Sequence, residues 1–257
     1  MIRISAFAMV LAAVAVWEML APRRSLQVAK GGRWATNLSL ILIGTLTVRQ
    51  LFPILPAALA QLAEDRGWGL FNVFPMGHVL KIVLSFLLLD FIIYIQHLLF
   101  HHMPILWRLH RMHHTDLDLD VSSGNRFHPL EIVISMVIKL ASVVFLGVPA
   151  EVVIVFEVVL NASAMFNHGN IFLSAACDRL LRLILVTPDM HRVHHSTIVR
   201  ETNSNFGFNF PWWDRLCGTY RPQPEKGHLN MDIGLKEYRD PEKLTLLRLL
   251  ILPFSSL

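Results

Sequence analysis

Charge is scarce in this chain: Asp, Glu, Lys and Arg make up 16% of 257 residues, against 54% apolar residues and a mean hydropathy of +0.49. A soluble domain carries charge on about a quarter of its residues, so the composition excludes an ordinary water-soluble globule and points to a membrane protein. Cysteine is nearly absent. Cys177 and Cys217 cannot build a disulfide framework, and neither sits in a CxxC pair, so nothing marks an oxidising compartment. The GxGxxG dinucleotide fingerprint, a flavin motif and the CxxCH of haem attachment are also missing. No redox cofactor of those kinds is expected within the chain. The net charge of +4 comes without any nucleic-acid-binding motif. Scattered basic residues beside apolar spans suit anionic lipid and cytoplasmic loops instead.

What the chain does have is long apolar runs. Ile4 to Leu20 is almost wholly apolar, with Arg3 before it and Arg23 and Arg24 after it. A cleaved signal would place its basic residues first and its small-residue site last, so a retained anchor helix is expected. A second run covers about Ala35 to Ala60, with Pro53 and Pro56 bending or ending it. The third, Val79 to about Phe100, is long enough to cross a bilayer. Ile132 to Phe166 is too long for one span and carries Gly147-Val148-Pro149 near its middle, which predicts a helical hairpin of short or re-entrant spans. Asn170 to Val186 mixes charge with apolar residues and predicts an interfacial helix. Thr187-Pro188-Asp189 is a helix start. The fold class expected is all-α, an integral membrane bundle of about four transmembrane or re-entrant helices. It divides into N-terminal anchor helices (1–76), a catalytic domain (77–222) and a C-terminal segment with an interfacial helix (223–257).

Arg23, Arg24, Lys30 and Arg33 lie between the first two runs, whereas the loop after the second holds Glu64, Asp65 and Arg66. The positive-inside rule then puts the first loop in the cytoplasm. Counting spans from there brings His97 to His102, His128, His168 and His191 to His195 to one cytoplasmic face.

Those residues carry the chemistry. Of thirteen histidines, eleven fall between His97 and His195. Positions three and four apart share a helix face, so His97 aligns with His101, His110 with His113 and His114, and His191 with His194 and His195. Neutral imidazole is a favoured ligand for mid-to-late transition metals. Eight such side chains exceed what one ion of four to six ligands uses, which suggests two adjacent ions. A zinc peptidase would show His-Glu-x-x-His, but arginine (Arg111, Arg192) stands at the second position here. Carboxylate-rich di-iron bundles use Glu-x-x-His pairs, also absent from these boxes. An all-nitrogen pair of ions on membrane helices suits activation of dioxygen. His128 in RFHPLE and His168 in FNHGN join the same face as further candidates. His78, His102 and His228 are expected to be structural or surface residues.

The stretches HLLFH, HRMHH and HRVHH, with RFHPLE, NHG and NFGFNFPWWDRLCGTY, resemble the fatty acid hydroxylase/sterol desaturase superfamily over roughly Asp90 to Tyr220. The resemblance implies a non-haem centre of two Fe ions that uses dioxygen to hydroxylate or desaturate a lipid. It maps box ligands onto His97, His101, His110, His113, His114, His191, His194 and His195, with His128 and His168 as additional ligands. Hydroxylation of a fatty acyl, sterol or related lipid is the favoured outcome and desaturation the alternative. A separate electron donor is required: a reductase, a ferredoxin or a b-type cytochrome. Cys217 stands where the family often has an aromatic residue, which reads as a packing change.

Asp90, Tyr94, His97 and His101 form one stripe on the third run. Asp90 either orients a ligand histidine or pairs with Lys81 or backbone. Asn167 and Asn205 can hold ring N–H groups or water. Glu131 is either a partner for a ligand or a first-turn acid, and Asp214 either pairs with Arg215 or caps a helix. Metal transport is disfavoured because transport sites sit near the bilayer midplane on broken helices, and intact boxes speak against a scaffold without turnover.

Overall fold

The computed structural model describes residues 2–74 and 76–255. Met1, Pro75, Ser256 and Leu257, which belong to the expected N- and C-terminal segments, lie outside the described residues. Every regular element among the described residues is helical, and two isolated β-bridges, Pro22 with Ile171 and Ser196 with Ile233, are the remaining pairings. Helices α1 (Ile2–Leu20) and α2 (Lys30–Leu51) come first. The apolar run then breaks at its prolines. Pro53 and Pro56 lack an N–H and cannot continue a helix, so the chain restarts as α3 (Pro56–Asp65), with Pro56 at the first helical position, and α4 (Leu70–Val73). The 25-residue α5 (His78–His102) runs to the histidine face.

Pro104 turns the chain directly into α6 (Pro104–His114), which carries the second box. The expected hairpin is α7 (Pro129–Leu146) and α8 (Ala150–His168). Gly147 closes α7 at φ +72°, and a Cβ there would come within 2.8 Å of Asn72 Nδ2 and 3.0 Å of Trp68 O. Glycine therefore serves both the left-handed cap and the packing of the α3–α4 connection against the hairpin tip. Among the described residues, five segments are long and apolar enough to cross a membrane: α1, residues 30–73, α5, α7 and α8. Their outward faces expose Leu42, Leu46, Val79, Val83, Val137 and Phe145, as a lipid-facing surface requires. The protein is an integral membrane helical bundle. One buried carboxylate ties three of the spans: Glu157 on α8 lies 2.9 Å from Lys139 on α7 and 2.9 Å from Arg3 on α1, which neutralises charge that lipid would not tolerate.

Short helices cover the histidine end: α9 (Ala175–Leu181), α10 (Pro188–His194), α11 (Val199–Thr202), α12 (Trp212–Leu216), α13 (Gly227–Asn230) and α14 (Leu246–Ile251). The interfacial helix expected across Asn170–Val186 is only seven residues long, with Leu180, Leu183 and Ile184 exposed on it and on the turn after it. Thr187 caps α10 through its hydroxyl, which accepts from Met190 N–H at 3.3 Å. Apolar packing of Leu40, Met112, Leu249 and Leu252 joins α14 to α2 and α6.

Between α6 and α7, a turn of 3-10 helix at Val121–Asn125 lies against α8. The approach is so close that a Cβ on Gly124 would stand 2.4 Å from the carbonyl oxygen of Ala164. Overpacking of this kind costs about 1–3 kcal/mol, and here the obstacle is backbone. Gly124→Ala is expected to lower the thermal unfolding midpoint in detergent by several degrees; an unchanged midpoint would show that the two segments separate freely.

Candidate metal centre

Nine buried histidines converge in two groups. His97, His101, His110, His114 and His194 offer ligand nitrogens within 4.8 Å of one another, and so do His113, His168, His191 and His195. Each is 9% exposed or less. The HxxHH spacing explains the partition. On a helix, i and i+4 project within about 40° of each other while i+3 diverges from i+4 by about 100°. In the second box His110 and His114 enter the first group and His113 the second. In the third box the roles reverse: His191 and His195 enter the second group and His194 the first. Each of these two boxes therefore reaches into both groups, and ring centroids of His114 and His195 stack 4.4 Å apart where they meet. His97 and His101, one turn apart on α5, complete the first group, and His168 at the end of α8 completes the second.

Outer partners decide which ring nitrogen faces inward. A carbonyl or carboxylate oxygen only accepts, so the nitrogen bonded to it carries the hydrogen. His97 Nδ1 donates to Phe206 O at 2.8 Å, His194 Nδ1 to Ser204 O at 2.8 Å, and His110 Nδ1 to Glu131 Oε1 at 2.7 Å. His101 Nδ1 lies 3.2 Å from the side-chain oxygen of Asn203. The inward Nε2 atoms of these four, and both ring nitrogens of His114, have no partner. In the second group His113 Nδ1 donates to Arg126 O at 3.2 Å and His168 Nδ1 to Ala164 O at 2.7 Å. Their Nε2 atoms then meet lone pair to lone pair at 3.0 Å, with Nε2 of His191 and His195 each 3.2 Å from that of His168. Burial first, and then the neighbouring imidazoles, push His113, His114, His191 and His195 well below the usual histidine pKa. Burial brings His194 down to about 3, so the ring carries a lone pair rather than a charge at neutral pH. Buried acceptors facing acceptors are costly, and a transition-metal cation is the partner this donor set fits.

The residues around the cage depart from the sequence expectations in specific ways. His128 lies in neither group. Its Nδ1 accepts from Leu130 N–H at 3.2 Å as the cap of α7, and its Nε2 donates to Leu250 O at 3.1 Å. Both nitrogens are thereby used, and the side chain links α7 to α14. Asp90 bonds neither a cage imidazole nor Lys81; of its expected alternatives the backbone pairing is the one formed, with the N–H groups of Asn209 and Phe210 at 3.3 and 3.4 Å, beside Asn209 Nδ2 and Trp213 Nε1, each at 2.8 Å. Asn167 Nδ2 donates to Phe208 O at 2.7 Å, and Asn205 Nδ2 to Met190 O and Arg221 O at 2.9 and 2.8 Å. Asp214 accepts from the N–H groups of Phe206 and Gly207, both at 2.8 Å, and does not pair with Arg215. All four brace one loop, residues 203–209, whose backbone and Asn203 hold His97, His101 and His194. Glu131 is the carboxylate that bonds a cage histidine directly. Two of the loop's three contacts with the cage are backbone carbonyls, of Phe206 and Ser204, which leave no side-chain signal in the sequence.

A family model described as fatty acid hydroxylase matches residues 82–219, a stretch that contains all nine cage histidines. The chain belongs to the fatty acid hydroxylase family. Among curated relatives of this family member, the ornithine lipid hydroxylase OlsE of Rhizobium tropici is 31% identical over 187 residues, 72% of this chain and 54% of that protein. Alkylglycerol monooxygenase of Homo sapiens is 27% identical over 147 residues, 55% of this chain and 31% of that protein. The Danio rerio enzyme of the same name is 29% identical over 149 residues, 56% and 31% respectively. The chain thus spans about half the length of the first relative and about a third of the other two. These relatives are lipid hydroxylases and monooxygenases. No solved structure gives a significant match.

Proposed function

We propose that the chain is a membrane-bound, oxygen-dependent lipid hydroxylase with a non-haem di-iron centre. The observation that carries this reading is the pair of histidine groups, with inward lone pairs fixed by outward N–H bonds. His97, His101, His110, His114 and His194 would hold one iron, and His113, His168, His191 and His195 the other. When bound, the iron pair supplies the activation of dioxygen that an unactivated C–H bond demands. The protein's own part is placement. Glu131, Asn203, Ser204 and Phe206 hold the imidazoles in one tautomer, and the sequestered, aromatic-lined cage, with Phe206 and Trp107 against His101, keeps bulk water out. An alkyl chain entering from the bilayer would be held with one C–H bond toward the cage.

The catalytic unit is residues 77–222, flanked by the N-terminal helices and the C-terminal segment. The basic residues between α1 and α2 support a cytoplasmic cage by the positive-inside rule, open to a separate electron donor, a reductase, ferredoxin or b-type cytochrome. OlsE supports a lipid substrate by its name, and the names of all three relatives favour oxygen insertion over desaturation. The test is metal analysis of detergent-purified protein together with lipid profiling of cells with and without the gene. About two irons per chain and a lipid gaining the mass of one oxygen are expected. One metal or none would refute the paired site, and a lipid losing two hydrogens would assign the desaturase reaction instead.

A further inference from the structure

Outside the cage, a group of charges with more guanidinium than carboxylate lies where the chain leaving α1 meets α9, α10 and α13. Four arginines, Arg23, Arg24, Arg182 and Arg192, gather there with two aspartates. Arg23 Nε bonds both carboxylate oxygens of Asp189, at 2.9 and 3.0 Å, and Arg192 pairs with the same side chain. Arg182 Nε is 2.7 Å from Asp178, in ion-pair contact but outside hydrogen-bond geometry. Asp178 already accepts from Thr187 Oγ1 at 2.6 Å. Arg24 reaches Met231 O at 2.8 Å, and the His228 ring lies 3.7 Å from Asp189. Asp232, an acid near Arg24, is taken by Lys226 at 2.8 Å.

Donors are left over. Arg24 Nε, Arg182 Nη2 and the single N–H of the neutral His228 ring have no hydrogen-bond partner, although Arg182 and His228 are only 4% and 7% exposed. Buried N–H groups without acceptors are costly, and a surplus of guanidinium over carboxylate calls for an anion. Planar guanidinium forks suit an oxyanion with several oxygens. The surroundings indicate its source. Phe172, Leu180, Leu183 and Ile184 are exposed by 51–68% beside the cluster, and the Arg23 guanidinium lies 5.9 Å over the Phe172 ring. Exposed apolar side chains at the end of a membrane helix, with arginines behind them, match the boundary where lipid headgroups lie.

We propose that this basic basin binds the phosphate of an anionic lipid headgroup, with Arg24, Arg182 and His228 supplying the free donors. The site is separate from the histidine cage and does not depend on the reaction performed there. The full chain in neutral detergent is titrated by calorimetry with dihexanoyl phosphatidylglycerol, with dihexanoyl phosphatidylcholine and with inorganic phosphate. Saturable binding of phosphatidylglycerol, weakened at least tenfold in Arg182→Gln and in Arg24→Gln and unchanged in Lys226→Gln, is the expected result. Inorganic phosphate binding with the same arginine dependence would assign the oxyanion to a soluble source at the same basin. The wild-type comparison stands if a variant fails to fold: equal binding of phosphatidylglycerol and phosphatidylcholine, with no saturable phosphate binding, would overturn the site. So would variants that bind both anionic probes as wild type does.

Discussion

His110→Ala and His194→Ala are expected to show one and the same defect, although they alter different boxes on different helices. His110→Ala and His113→Ala, three residues apart in one box, are expected to differ. The reason is the crossing of the boxes: His110 and His194 face the first group, His113 the second. Each single variant should lose lipid oxidation beyond the 10–100-fold typical of removing an outer hydrogen-bond partner, because a ligand itself is gone. Iron content makes the distinction sharp. Combining His110→Ala with His194→Ala strikes one ion twice and should leave about one iron per chain. Combining His110→Ala with His113→Ala strikes both ions and should leave close to none. Effects on one shared ion are non-additive and effects on separate ions add. If iron loss instead follows the box, so that the two double variants retain equal metal, the two groups do not act as separate sites.

That crossing also marks where the sequence stopped being legible. The spacing of HRMHH and HRVHH identified imidazoles on common helix faces, and the apolar runs showed how the chain returns to one membrane face. The partition of each box between two groups depends on how α6 and α10 face each other across the cage, which no local pattern encodes. His-Pro-x-Glu reads the same whether the imidazole binds metal or caps a helix, and in the structure His128 caps α7 outside both groups. Its neighbour Glu131 turns out to hold His110. Arg33 is one of the four basic residues between the first two apolar runs, yet it is a buried member of α2. A lone arginine at the start of an apolar helix gives no hint of partners more than eighty positions away.

Those partners make Arg33→Ala the largest expected loss outside the cage. Its guanidinium donates to Asp116 at 2.7 and 3.0 Å, to Asp120 at 2.8 Å, to the Asp118 carbonyl at 2.8 Å and to Ser123 Oγ at 3.1 Å. Asp116 and Asp120 are 1% and 0% exposed. Removing one partner of a buried ion pair costs about 3–5 kcal/mol. The low end applies here, since Arg126 still faces Asp116. The loss should also reach the metal site. Arg126 donates to Asn37 on α2 at 2.9 Å and to Thr115 at 2.7 Å, and its carbonyl accepts from His113. The α2 helix therefore buttresses the second group from outside the residues that the family model covers. Thermal unfolding in detergent should show the destabilisation, and Arg33→Lys should recover part of it through charge without restoring the fork. The pH dependence should change as well. Burial raises the pKa of Asp116, but Arg33 and Arg126 outweigh it and hold the carboxyl at about 2, below its ordinary 3.8. The wild-type contribution is complete above pH 3.8 and is lost as pH falls toward 2. Without Arg33, burial gains against the single remaining cation. The folded carboxyl then moves back up toward 3.8, so the acid-side loss carried by Asp116 should shrink relative to wild type, and a variant with an unchanged acid limb and a loss within the 0–1 kcal/mol of a surface pair would show that Arg33 is not the keystone of this network.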